Sequence, residues 1–322
     1  MLRSINALLV LYLLLSQYAF AGFIANPGTC DVTHASLTSI EQIVAPPLPS
    51  GQPSGINLLS TSYDATACVG VYSGNDDAGG LSSPSPNIGQ AGDGLLNGED
   101  IFNGEEFVDP SDFQALDPDG VKNDPGWIHL AHFDAENNAA GNVSYSMAGP
   151  SPLNDPLLTL DISDLLTLSL SCAVAGDNLT ECSSIDWLLT TKLDIIDNVQ
   201  ALLGPATFDH LAFSVKAGSG SGNGNGNGNG NGNDTGGFAV YDFNFKTIFA
   251  AENNPALNFL TPYQLGGTLN TGDLGNKGIS HLNVWARDPI NEATSVPEPT
   301  SLGIFALALL IGGYLRKEGH NI

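Results

Sequence analysis

Phe238-Ala239-Val240-Tyr241-Asp242-Phe243-Asn244-Phe245 is the stretch from which the fold is read. Tyr241, Phe243 and Phe245 recur at every second position, the repeat that places side chains on one face of a β-strand. Outward from it, candidate strands run from Trp127 to Asp134, Asn142 to Ala148, Leu157 to Ile162 and Leu165 to Cys172. Others run from Ile185 to Thr191, Phe208 to Lys216, Gly267 to Asn270 and His281 to Arg287. One short helix is expected over Asp194–Leu203, where Ile195, Ile196, Val199, Leu202 and Leu203 follow a helical period and Gly204-Pro205 ends it.

About nine strands separated by turn residues predict an all-β protein, an antiparallel β-sandwich of which a jelly roll is one form. The 38 Gly and 19 Pro among 322 residues agree with many turns and long loops. The sandwich core is placed at residues 126–292. Residues 22–125, richer in Gly, Pro, Ser and Asp, read as a loop-rich N-terminal part of the same ectodomain. Between the strands at 208–216 and 238–245 lies a low-complexity run at 218–237, Gly-Ser followed by Asn-Gly repeats. It reads as an expanded hairpin loop, because doubling a surface loop costs only about 0.6 kcal/mol and Asn-Gly accepts positive φ.

The chain carries 9 basic and 34 acidic residues, a net charge of −25. Such a surface repels nucleic acid, anionic lipid and acidic polysaccharide. It also gives carboxylate loops a reason to attract Ca²⁺. Two loops are candidates. Asp93 and Asn97 lie in one, and Asp117, Asp119 and Asn123 in the other. The second departs from an EF-hand loop, with Gly120 at its fourth position and Lys122 inside it. No other cofactor is expected.

The four cysteines allow three pairings. Proximity along the chain favours Cys30 with Cys68 and Cys172 with Cys182, and each bridge should contribute about 2–4 kcal/mol. His129 and His132, three apart on a strand, should point to opposite faces and so not share a metal. Trp127, Trp187 and Trp285 read as core residues. Trp285, with Arg287 and Asp288 beside it, is also the candidate sugar contact. Nucleophile-elbow, zinc-protease, phosphate-loop and dinucleotide motifs are all absent. With six histidines in the chain, no enzymatic activity is expected. A glycan hydrolase would need a carboxylate pair, and no pair is singled out.

The two ends carry address signals. Arg3, an apolar run from Ala7 to Leu15 and the small-residue pattern Ala19-Phe20-Ala21 form a signal peptide over residues 1–21. At the other end Val296-Pro297-Glu298-Pro299 precedes an apolar segment, 302–315, and then Arg316-Lys317. Residues 296–322 resemble the PEP-CTERM sorting tail of Gram-negative bacteria. The resemblance implies a membrane-spanning precursor held by Arg316 and Lys317, which an exosortase cuts near Pro297-Glu298-Pro299.

Together these features lead to an exported protein of the cell surface, outer membrane or extracellular matrix. Its expected role is structural or adhesive, in an exopolysaccharide or biofilm setting. Its expected partners are signal peptidase and exosortase in transit, then exopolysaccharide or other surface proteins. The alternatives are a Ca²⁺-assisted carbohydrate-binding module and a secreted glycan hydrolase.

Overall fold

Alternating apolar and polar residues build two antiparallel sheets in the computed structural model, which describes residues 30–45, 51–73, 76, 89–99, 101–116, 119–135, 165–173, 179–203, 208–218 and 237–287. Both expected address signals, the candidate strands Asn142–Ala148 and Leu157–Ile162, Asp117 and Asp288 lie outside the described residues. The chain divides into two units, Met1–Pro289 and Ile290–Ile322, and every described residue belongs to the first.

Sheet A has the order Gln52–Asn57 (β2), Ala35–Val44 (β1), Tyr263–Asn270 (β10), Ser184–Thr191 (β7) and Leu166–Cys172 (β6), with Tyr63–Asp64 (β3) also paired to β1. Sheet B has the order Ala67–Ser73 (β4), Gly237–Asn244 (β9), His210–Ala217 (β8), Ile279–Arg287 (β11) and Trp127–Asp134 (β5). Among the described residues there are also two α-helices, Ile195–Leu203 (α1) and Phe245–Glu252 (α2). The all-β sandwich expected from the sequence is therefore the observed fold. Among the described residues no helix is long and apolar enough to cross a membrane.

The sheets bury their facing sides against each other. Trp187 of β7 meets Phe213 of β8 at 4.9 Å and Phe243 of β9 at 6.1 Å between ring centroids. Room for the indole comes from Gly267 of β10, where an added Cβ would sit 2.6 Å from Trp187 Cζ2. Leu168, Leu170, Val215, Leu269, Leu282 and Val284 fill the same layer. Burying each such side chain stabilises the fold by roughly 1.5–3 kcal/mol.

Two sequence expectations change and a third holds. Residues 35–73 supply four strands, with β1 inside sheet A between β2 and β10, so the sandwich begins well before residue 126. Phe245 opens α2 and does not extend β9, because the Asn244 side chain caps the helix by accepting from Thr247 N at 3.1 Å. The run at 218–237 does connect neighbours, since β8 and β9 pair from His210–Asn244 to Lys216–Phe238.

Both disulfides form as the spacing suggested. Cys30–Cys68 ties the lead-in to β1 of sheet A to β4 of sheet B, with Cα atoms 6.1 Å apart. Cys172–Cys182 joins the end of β6 to the approach to β7, with Cα atoms 5.8 Å apart.

The outer faces of the two sheets differ. Leu95, Leu96, Phe102, Val108 and Phe113 from the loop-rich segment cover sheet B, packing on Trp127, Ala212, Phe238, Val240 and Trp285. On sheet A, pairing aligns Thr167, Thr190, Gln264 and Glu41 in one outward row. Ser169, Leu188, Gly266 and Ser39 form a second row, and Ser171, Asp186, Thr268 and Ser36 a third.

Candidate functional site

Chemistry-bearing side chains gather on the outer face of sheet B. Strand alternation turns Leu282, Val284 and Ala286 of β11 toward sheet A, which turns His281, Asn283, Trp285 and Arg287 the other way. On β8 the same alternation sends Ser214 outward between Phe213 and Val215. On β5 a bulge intervenes. His132 opposes Asn283 and Ala131 opposes Val284, but Trp285 opposes His129, leaving Leu130 as the extra residue. Leu130 and Ala131 both face the core, so His129 and His132 share the outer face. The expectation that they point apart is thus corrected, because the inserted residue shifts the two-residue period by one.

Asp76 is the hub of this group. It is fully buried and accepts from Ser214 Oγ, from His281 Nε2 and, at 2.9 Å, from Asn283 Nδ2. Asn283 Oδ1 in turn meets His132 Nδ1 at 2.7 Å and His129 Nε2 at 3.2 Å. The His132 and His281 rings stand 5.2 Å apart. Burial works to raise the Asp76 carboxyl, but the bonds and charge of His281, with Ser214 and Asn283, outweigh it and hold the group below the usual range. Burial lowers His129 to about 4, only partly offset by its bond to Asn283. Its ring lies 4.6 Å from the Trp285 indole.

This arrangement holds protons in place. Ser214 and His281 both donate to one carboxylate, whereas a serine nucleophile needs the imidazole between hydroxyl and acid. Among the described residues no three His, Cys, Asp or Glu side chains come together to hold a metal ion.

A second buried group lies at the other end of the same face. His210 Nδ1 reaches both Asp242 oxygens at 3.0 Å, under the edge of Trp127. Burial raises the Asp242 carboxyl against the pull of His210. Arg287 pairs with Asp209 at 3.1 Å, donates to Pro125 O at 3.0 Å and donates to Asp112 O at 2.9 Å.

These positions overturn the sugar-contact expectation. Trp285 is 0% exposed and Arg287 1% exposed. Packing of the 95–113 segment over sheet B removes the indole from any ligand, and the guanidinium serves to anchor that segment. Trp127 and Trp187 are core residues, as read from the sequence.

The candidate Ca²⁺ loops fare differently. Asn97 is spent on backbone: its Nδ2 donates to Asp93 O and Trp127 O, and its Oδ1 accepts from Trp127 N at 2.9 Å. It is therefore not a cation ligand. Asp119 is exposed and accepts from Val121 N at 2.7 Å in a local turn, and Asn123 is exposed. Burial, with the charges of Glu99 and Asp124, raises the half-buried Asp93. Asp124 joins the two loops by accepting from Ala91 N at 2.8 Å and Leu116 N at 2.6 Å.

No family model matches the chain, and no curated protein or solved structure resembles it.

Proposed function

We propose that this chain is an exported protein of the cell surface or extracellular matrix with a structural or adhesive, non-catalytic role. The observation that carries the reading is the Cys30–Cys68 bridge, which fastens one sheet to the other. Such bridges form and persist in oxidising compartments and are rare where thiols are kept reduced. A second bridge within sheet A adds to it. The interior polar groups fit a scaffold role, since Asp76, Asp209 and Asp242 each engage a basic partner inside the fold. The signal segment at 1–21 and the PEP-CTERM-like tail at 296–322 supply the route, with an exosortase cutting near Pro297-Glu298-Pro299. The carbohydrate-binding reading built on Trp285 loses its platform to the core.

The test is expression of the full chain in a Gram-negative host with and without an exosortase, followed by fractionation, mass measurement and thiol alkylation. The expected product lies outside the cytoplasm, lacks both terminal segments only when the exosortase is present, and takes up alkylating reagent only after reduction. A full-length cytoplasmic protein with four reactive thiols would overturn the proposal.

A further inference from the structure

We infer that the outward face of sheet A is a docking surface for a neutral, hydroxyl-rich polysaccharide, an inference that rests on the surface role proposed above. Thr38, Thr167, Ser169, Ser171, Asp186 and Leu188 are exposed on this face. The three rows across β6, β7, β10 and β1 contain two carboxylates, Asp186 and Glu41, and no Lys or Arg. The face is thus acidic, like the chain of net charge −25 that carries it, and its other polar groups are neutral.

Its hydroxyls are held in position. Ser36 Oγ and Thr268 Oγ1 lie 2.8 Å apart, and Gln264 Nε2 donates to Thr190 Oγ1 at 2.8 Å. Thr38 Oγ1 donates to Gly266 O at 3.1 Å. Side chains already ordered lose little freedom when a partner arrives. At the centre Gly266 has no side chain, and Leu188 beside it is 38% exposed. Leu188 is therefore an exposed apolar group at the centre of the face, with hydroxyls on both sides. A pyranose ring has matching parts, an apolar C–H face edged by hydroxyls that both donate and accept.

Charge selects among occupants. A second copy would bring another chain of net charge −25 and bury Asp186 with no cation in the three rows to pair it. An acidic glycan meets the same repulsion. A neutral glycan instead donates hydroxyl hydrogens to Asp186, a charge-assisted bond stronger than a neutral one.

Affinity electrophoresis of the exported, oxidised protein tests the inference. Gels carry hydroxyethyl cellulose, dextran or galactomannan, and a gel with polygalacturonate is the acidic control. Retardation is expected in at least one neutral gel and not in the acidic one. Ser169→Arg and Leu188→Arg should weaken it by about ten-fold or more. Val121→Arg, at a 53% exposed position in the loop between the bridged residues Gln114 and Asp124 and away from the rows, should leave it unchanged. Equal melting temperatures for all three variants keep the comparison one of surface alone.

Absence of retardation in every neutral gel overturns the inference, as does retardation that survives both face variants or appears with polygalacturonate. Concentration-dependent dimerisation abolished by Ser169→Arg would reassign the face to a second copy. Fractionation and thiol labelling decide export independently, so either proposal can fail while the other stands.

Discussion

Single side chains on the outer face of sheet B set how the molecule answers pH. His129 keeps its ring against Trp285 and is held near 4, below its ordinary 6.5. The unfolded chain therefore binds this proton first as pH falls. The stability that the neutral ring contributes is whole above pH 6.5 and is lost on descent toward pH 4, about 3 kcal/mol in total. His129→Phe keeps the aromatic packing, and His132 still engages Asn283 Oδ1. Urea midpoints taken from pH 7 to pH 4 should then fall less steeply than in the unsubstituted protein. An unchanged acid slope would mean that the proton is taken up elsewhere.

At the scale of strands, what the sequence could convey was periodicity. β5 was legible to its ends, and β6, β7, β8, β9 and β11 nearly so, because a buried face alternates with a second face of different chemistry. β1 to β4 were not. Their apolar positions are interrupted by bulges at Leu37/Ser39 and Gly70/Tyr72, and Pro53 and Gly55 occupy the edge strand β2. The Asp76 group was illegible for a related reason. The bulge at Leu130 cannot be seen without the partner strand, and Asp76 lies 205 residues from His281.

Trp187 was read as core, but not the glycine that accommodates it. Gly267→Ala should lower the urea midpoint by the equivalent of about 3 kcal/mol, since the new methyl meets the indole and the Ser36 carbonyl. Gly266→Ala should cost less, because its nearest obstacle, 2.6 Å away, is the Ser39 hydroxyl, which can rotate. Equal losses would show that the indole is free to shift.

For the whole molecule the disulfides divide the work unevenly. The bridges close separations of 38 and 10 residues, which by chain entropy correspond to about 4 and about 3 kcal/mol. Replacing Cys30 and Cys68 together by Ser should therefore shift the denaturant midpoint further than replacing Cys172 and Cys182. The first bridge also joins the two sheets, so its loss should loosen both. The reverse ranking in paired melts would place the main restraint within sheet A.

Sheet A also imposes an order of events. β1, the first of the described strands, finds its central partner in β10, and β10 sits between β1 and β7. A chain emerging from its N-terminus, from a ribosome or through a membrane pore, cannot close this sheet until residues 263–270 have followed. Pairings of such long reach form slowly. β10 therefore enters between two waiting edges, β1 on one side and β7 on the other, as the keystone of sheet A.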